Sequence, residues 1–169
     1  MAGLPALISS DRIRLFLISP EEAADMVAGR RHDDRWHPDY PRKDDVDAAS
    51  MIRAGGDGAD GADGATWGPR HIVLDRLAVG SIGCFGPPVD GETEVGYGLV
   101  PDARGRGVAT EALGLLAAEA DKVGVRLRAS VAPDNTSSLR VLAKCGFSDL
   151  RGTTEDGELV MVRRPRPAS

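Results

Sequence analysis

The sequence contains little lysine and few aromatic residues, and it has no excess of positive charge. Lysine occurs only at Lys43, Lys122 and Lys144, so arginine carries most of the positive charge. Aromatic side chains make up 4% of the 169 residues, and the formal net charge at pH 7 is −5. A nucleic-acid-binding surface needs an excess of basic residues on one face. The charge balance therefore argues against nucleic acid as the main partner.

Cysteine pairs, metal-ligand clusters and long apolar runs are also missing. Cys84 and Cys145 are far apart, with no C-x-x-C motif and no histidine at metal-ligand spacing. We therefore expect two reduced core thiols and no bound metal. The N-terminus has no basic segment followed by an apolar one, and no apolar run approaches about 18 residues. These features predict a soluble, cytoplasmic chain with no membrane partner, and the length predicts one domain over residues 1–169.

The order of predicted elements indicates an α/β (α+β) domain. Its main features are a mixed, mostly antiparallel central sheet and helices on both faces. Ser19, Pro20 and two acidic residues start the first helix, which follows the first strand. The Gly/Asp-rich segment 55–65 predicts a flexible loop, and residues 164–169 predict a loose tail. Strands are predicted at 12–18, 70–75, 77–85, 92–100, 126–131 and 159–163, and helices at 19–30, 44–53, 108–123 and 134–145.

The most informative segment is the turn between the strand at 92–100 and the helix that follows. It reads Arg104-Gly105-Arg106-Gly107-Val108-Ala109. Two glycines let the backbone turn tightly and bring its N–H groups close to a ligand. The helix N-terminus adds the positive end of a dipole, and the two arginines add formal charge. Together these features predict a binding site for a pyrophosphate.

A dinucleotide-binding domain and a P-loop are the competing interpretations of this turn. Residues 105–110 begin like G-x-G-x-x-G, but the third glycine is replaced by Thr110. The turn also comes late in the chain, and the strand at 126–131 does not end in a convincing ribose-binding acid. No G-K-[S/T] follows, which argues against a P-loop.

The turn and a second motif resemble the two sequence signatures of the GNAT superfamily of N-acetyltransferases. The superfamily's cofactor loop is [Q/R]-x-x-G-x-[G/A], and residues 104–109 match it at every fixed position. The second match is Asn135-Thr136-Ser137-Ser138, with Gly146-Phe147 closing the same helix. The opening RIRLFLISPEEA and the approach Glu94–Tyr97 are most similar to the branch that includes ribosomal-protein N-terminal acetyltransferases. The resemblance implies a GNAT-type acyl-CoA N-acyltransferase fold.

The resemblance also implies a reaction and a set of cofactor contacts. Acetyl-CoA would be the co-substrate, and the acceptor would be a primary amine of a small molecule or of a protein N-terminus. Leu99 and Val100 would end a strand that splays from its neighbour, and they would pair their backbone with the pantetheine arm. Asn135 would bond the pantetheine as well. Main-chain amides would hold the pyrophosphate, with contributions from Arg104, Gly105, Arg106, Gly107, Val108, Ala109 and Thr110.

Two further outcomes are consistent with the same fold. Relatives often form homodimers, although nothing in the sequence identifies an interface. An acyl-CoA-binding sensor or interaction module would keep the fold and the loop without turnover, and acetylation of any amine would exclude it.

Three residues are candidates for the proton transfers that acetyl transfer requires. Ser138 would protonate the departing thiolate, because many relatives use a tyrosine on this helix and none is present here. Glu94 is the first candidate for the base, and Glu155 in the late loop is the second. Three of the predicted site residues also have a simpler interpretation. Ser138 is also common in a first helical turn, Asn135 is also a usual N-cap, and Glu94 could be a solvated edge residue.

The acceptor site is the least defined part of the sequence. Trp36 and Tyr40 lie in a proline-rich loop, where relatives build that site, and they are the predicted substrate-binding residues. The competing interpretation is a packed hydrophobic plug. His37 and His71 have no evident partners in the sequence. The sequence does not select a particular amine.

Overall fold

One eight-stranded sheet organises the computed structural model, which describes residues 2–52 and 61–167. The strands are β1 (Leu7–Ser9), β2 (Ile13–Leu17), β3 (Arg70–Leu74), β4 (Leu77–Cys84), β5 (Glu92–Leu99), β6 (Arg126–Val131), β7 (Asp149–Thr153) and β8 (Leu159–Arg163). Their order across the sheet is β1-β2-β3-β4-β5-β6-β8-β7. Only β5 and β6 are parallel; the other neighbouring strands are antiparallel. The predicted mixed, mostly antiparallel sheet is confirmed.

Helices cover both faces of this sheet. They are α1 (Pro20–Ala28), α2 (Lys43–Ala49), α3 (Gly61–Ala65), α4 (Val108–Lys122) and α5 (Thr136–Lys144). Ser81 on β4 donates a hydrogen bond to Asp45 of α2, whereas Tyr97 on β5 reaches Ser138 of α5. Ser81 is registered with Gly98, the neighbour of Tyr97. Because successive side chains on a strand point to opposite faces, α2 and α5 lie on opposite faces.

Strong local signals set the ends of the two principal helices. Ser19 caps α1 through a capping box with Glu22, and Gly29 ends that helix in the left-handed conformation, with φ 76°. Gly107, with φ 75°, is the N-cap of α4. The buried residues of α4 recur every three or four positions and pack on the sheet; they are Val108, Ala112, Leu113, Leu116, Ala117 and Ala120.

The structure adds elements that the sequence pattern does not predict. β1 and β7 are short strands that pair with β2 and β8. Residues 61–65 of the predicted flexible loop form α3, while residues 55–60 lie outside the described part of the chain. In the predicted loose tail, Arg164 pairs with Asp149, and the Arg166 backbone N–H donates to Asp121.

Within residues 2–52 and 61–167, no helix is both long enough and apolar enough to cross a bilayer.

Candidate active site

Strands β5 and β6 separate in the middle of the sheet. They are registered only over Glu92–Glu94 of β5 and 126–128 of β6, although both strands continue beyond these pairs. The other edge of β5 stays paired with β4 as far as Leu99. This leaves a V-shaped gap in the sheet, which is the splay that the resemblance implied.

The backbone of β5 presents hydrogen-bonding groups to this gap. Glu94 C=O accepts from Phe85 N–H at 2.9 Å, and Val100 N–H donates to Val79 C=O at 2.8 Å, so both face β4. Backbone groups alternate in direction along a strand, so those of Tyr97 and Leu99 face the gap. Leu99 C=O accepts a 3.1 Å hydrogen bond from Arg104 Nε. The Tyr97 groups and the Leu99 N–H therefore remain as the polar edge of the gap.

The glycine-rich turn lies at the open end of the gap. A 3₁₀ turn, Pro101–Ala103, joins β5 to it, and Gly105 and Gly107 have φ values of 74° and 75°. Both glycines are exposed, and Gly107 makes no side-chain cap, so no side chain covers the first N–H groups of α4 at this position. The 15-residue helix directs its positive end toward this point. The turn therefore has the exposed backbone and the helix N-terminus on which the predicted pyrophosphate site depends.

An arginine from the start of the chain supports this turn. Arg12 Nη1 donates to the Arg106 carbonyl at 2.9 Å, and Arg12 Nε lies 3.3 Å from Glu111 Oε1 on α4. Ser10 also donates to Glu111. Sequence analysis did not identify Arg12 because its partners lie far along the chain. No local pattern signals such a contact.

The N-terminus of α5 faces the same gap. Asn135 is its N-cap, and Asn135 Oδ1 accepts from the Ser138 N–H at 3.1 Å. Ser138 Oγ lies 2.8 Å from the hydroxyl oxygen of Tyr97 on β5. The structure thus brings the predicted residue Ser138 to the splay, together with Tyr97, which is not among the site residues predicted from the sequence.

Burial affects the proton affinity of this tyrosine. Tyr97 is partly buried, and the loss of solvent raises its pKa above the usual value, while the hydrogen bond to Ser138 acts in the opposite direction. The phenol therefore stays protonated at neutral pH and can donate a proton.

A cavity of about 920 Å³ lies on the opposite face of the sheet. Its floor includes glycines of β4 and β5, and its walls include Phe85, Met51 and Ile52. Tyr97 also lines this cavity, so the cavity and the splay meet at β5. The position fits an acceptor that approaches the gap from the α2 side.

A buried ion pair borders this cavity. Asp45 is fully buried and accepts hydrogen bonds from Ser81 and from the Arg42 side chain, with Arg42 Nη2 at 3.0 Å. The Arg42 guanidinium lies against Gly98, where a Cβ would come 2.3 Å from Nη2. Only glycine at position 98 leaves room for this arrangement. Neither charged residue was predicted from the sequence, because Ser81 and Gly98 meet them only in the fold.

The two candidate bases have different surroundings. Glu94 lies on the cavity side of β5, and its Oε1 is 3.4 Å from Arg128 Nε. Its neighbour Glu92 contacts Arg126, Arg128 and Arg151, and hydrogen bonds from Arg151 and Arg128 lower the Glu92 pKa to about 2. Glu155 is exposed in the turn between β7 and β8.

The predicted acceptor residues Trp36 and Tyr40 are buried at 2% and 0% exposure, and neither lines the cavity. The Tyr40 hydroxyl bonds His71 Nδ1 at 2.7 Å, and His71 Nε2 lies 3.2 Å from Glu22 Oε2. This buried arrangement agrees with the competing interpretation of the loop, a packed hydrophobic plug. Both histidines that lack evident partners in the sequence have them in the fold, since His37 Nε2 lies 3.1 Å from Asp102.

One group of metal-ligand type forms next to the turn. His37, Asp39 and Asp102 bring one potential ligand atom each within 4.8 Å of one another. His37 Nδ1, however, accepts from the Asp39 backbone N–H, and both carboxylates are exposed. The group is explained by its internal hydrogen bonds.

Comparison with known proteins agrees with this architecture. Residues 12–148 match the family model described as an acetyltransferase (GNAT) domain. The chain belongs to the GNAT acetyltransferase family, whose members are acyltransferases. No curated protein sequence matches it.

Solved structures show the same fold at low sequence identity. A protein of Bordetella pertussis assigned to the GNAT family has 23% identity and a TM-score of 0.66, covering 94% of this chain and 99% of its own. Mycobacterium smegmatis RimJ, in complex with CoA-disulfide, has 23% identity and a TM-score of 0.62, covering 95% and 86%. The microcin C7 self-immunity acetyltransferase MccE, in complex with acetyl-CoA and AMP, has 18% identity and a TM-score of 0.63, covering 92% and 93%.

Proposed function

We propose that this protein transfers the acetyl group of acetyl-CoA to a primary amine, carried by a small molecule or by a protein N-terminus. The observation that carries the proposal is the splay between β5 and β6, which opens directly onto the glycine-rich turn at the start of α4. A CoA molecule has an extended arm and a pyrophosphate. The gap and the turn offer the backbone groups that each part needs.

The donor is held mainly by main-chain groups. The N–H groups of residues 107–110 bind the pyrophosphate, while Arg104 and Arg106 add charge beside it. The backbone of Tyr97 and the N–H of Leu99 bond the pantetheine arm, and Asn135 contributes its side-chain amide. Val100 takes no direct part, because its N–H bonds Val79 and its C=O accepts from Ala103.

The acceptor amine enters from the cavity on the α2 side. Its apolar remainder packs against Phe85, Met51 and Ile52, and its nitrogen points toward the gap. Glu94 faces the cavity side and takes the amine proton through water, with Glu155 as the second candidate. Trp36 and Tyr40 support the site from within the core and do not touch the acceptor.

The amine then attacks the thioester carbonyl directly in a ternary complex. The nitrogen forms a bond to the carbonyl carbon, the carbon–sulfur bond breaks, and its electron pair stays on sulfur. N–H groups along the open edge of β5 polarise the carbonyl oxygen. Ser138, at the start of α5 and beside the gap, is the candidate that the sequence offers as proton donor to the sulfur.

Calorimetric titration with acetyl-CoA, with NAD as the control ligand, tests the donor site. We expect stoichiometric, micromolar binding of acetyl-CoA and none of NAD. Equal binding of both would contradict the proposal. A screen of amines for CoA release then tests turnover. If acetyl-CoA binds but no amine causes the release of CoA, the protein is an acyl-CoA-binding sensor and not an enzyme.

A further inference from the structure

Tyr97 spans the gap between the splayed strand and the start of α5. It lies on β5 beyond Glu94, the last residue registered with β6, and its side chain points to the α5 face. Its hydroxyl oxygen is 2.8 Å from Ser138 Oγ and 3.5 Å from the Ser138 carbonyl oxygen. A thioester placed beside Ser138 would therefore also lie beside Tyr97.

The two hydroxyls differ greatly in acid strength. A tyrosine phenol ionises near pH 10 and a thiol near pH 8.5, so the phenol and the leaving thiol are within about two pH units. A serine hydroxyl is a far weaker acid than either of them. The efficiency of general acids follows Brønsted behaviour, so a stronger acid that is still protonated at the working pH transfers its proton more readily. Of the two side chains, the phenol is the better match.

The start of α5 helps the phenol to give up its proton. Ser138 is the third residue of this helix, and the helix N-terminus favours negative charge nearby. Ser138 is itself fixed by its N–H bond to Asn135. Its hydroxyl can hold the Tyr97 oxygen in position and accept or return a proton.

From this geometry we infer that Tyr97 is the proton donor to the departing CoA thiolate and that Ser138 is a positioning residue. The inference rests on the proposed acetyl transfer. As the carbon–sulfur bond breaks, its electron pair moves to sulfur, and the Tyr97 O–H proton follows. The phenolate then recovers a proton from solvent through the Ser138 hydroxyl. The amine proton leaves separately through Glu94 and water.

Among the described residues, the titratable groups on this face of the sheet include Arg70 on β3, which is registered with Ile82 beside Tyr97, and two thiols. Cys145 follows α5, and burial raises its pKa. Cys84, on the neighbouring strand β4, has its pKa raised by burial to about 12. Burial therefore favours the neutral form of both thiols.

A binding experiment tests the inference without turnover. CoA is bound to the wild type, to Tyr97→Phe and to Ser138→Ala, and the absorbance of its thiolate is followed as the pH is raised. Desulfo-CoA, which has no thiol, gives the reference absorbance for each protein. A phenol that donates to sulfur stabilises the thiolate. We therefore expect the bound thiol to ionise at higher pH in Tyr97→Phe, with a smaller change in Ser138→Ala. An unchanged titration in Tyr97→Phe would overturn the inference, although CoA binding would still support the proposed function.

Kinetics with an accepted amine give the second readout, with Ser137→Ala as the matched control. Tyr97→Phe should lower kcat by about 100-fold or more, with the KM for acetyl-CoA changed by less than about threefold. Ser138→Ala should lose less activity than Tyr97→Phe, and Ser137→Ala should lose about none. The wild-type kcat should fall at high pH as the phenol ionises, and Tyr97→Phe should lack this decline. A larger loss in Ser138→Ala would return the role to Ser138 and overturn the inference.

Discussion

Single residues decide the conformation of the glycine-rich turn, residues 104–109. Gly107 has φ 75°, a conformation that L side chains adopt at a cost of about 1–3 kcal/mol. The space around Gly107 would admit a side chain, since a Cβ there would come no closer than 3.7 Å to Arg12 Nη2. The requirement for glycine at this position is therefore conformational.

We expect Gly107→Val to weaken acetyl-CoA binding more than Arg106→Ala. The valine shifts the N–H groups that hold the pyrophosphate, whereas the exposed Arg106 side chain adds a screened charge worth about 1 kcal/mol or less. The expected losses of affinity are roughly 30-fold and roughly threefold, measured by calorimetry. Gly114→Ala, inside α4 with open space around it, is the control. The reverse order would contradict this account of the loop.

Tyr97 shows why part of the site could not be found in the sequence. The sequence pattern places it in a strand, which is correct, but its hydroxyl bonds Ser138, a residue 41 positions away. Arg12 and Arg106 are 94 positions apart. Local spacing identifies residues that act through their own backbone, such as the glycines, and it does not reveal contacts that only the fold creates.

At the scale of elements, Asp45 attaches α2 to the sheet. Its carboxylate accepts from the Ser81 hydroxyl on β4 and from the backbone and side chain of Arg42 at the start of α2. The carboxylate is completely buried. Its loss leaves several buried polar groups without partners.

Asp45→Ala should therefore lower the free energy of unfolding by about 2–4 kcal/mol. Asp47→Ala, two residues further along the same helix, removes an exposed pair with Lys43 and should cost less than about 0.5 kcal/mol. Denaturant unfolding of the two variants gives the comparison. Equal costs would show that the buried pair does not attach the helix.

Glu92 fixes the closed end of the splay. Its carboxylate joins β5 to Arg126 and Arg128 on β6 and to Arg151 on β7. Arg151 and Arg128 lower its pKa to about 2. A lowered pKa means stabilisation that is present above the unfolded value, near 4.5, and is lost as pH falls toward about 2.

Glu92→Gln should destabilise the protein by about 1–2 kcal/mol at pH 7, a value reduced by solvent screening at the surface. The difference from the wild type should shrink as the pH is lowered from about 5 to about 2. Unfolding midpoints measured across this range test the prediction. A difference that stays constant with pH would rule out the charge as its source.

The elements themselves were largely predictable. The strand at 92–100 and the helix at 108–123 match β5 and α4 within one residue at each end, because Pro101 and Gly107 mark their limits locally. β1 and β7 were missed, since three or five residues carry too little pattern and these strands are defined by pairing with β2 and β8. Prediction failed where a neighbour in space defines the element.

At the scale of the whole molecule, the sheet separates the proposed donor site from the proposed acceptor cavity. The donor turn and α5 border the splay, while the cavity lies on the α2 side of β4 and β5. Each substrate can therefore reach β5 without passing through the site of the other.

Initial-rate measurements should accordingly give intersecting lines when acetyl-CoA and an accepted amine are varied together. Desulfo-CoA should compete with acetyl-CoA and not with the amine. Parallel lines would indicate an acetylated protein intermediate and would contradict direct attack.

The contact between Arg12 and Glu111 joins the turn between β1 and β2 to the start of α4, 99 positions away in the sequence. Seen as an inherited trait, such a pair restricts how descendants of this chain can diverge. A lineage that loses Arg12 keeps Glu111 beside the glycine-rich turn without its cationic partner. The unpaired carboxylate then repels the phosphates of the proposed donor. Covariation between positions 12 and 111 is the expected trace of that constraint.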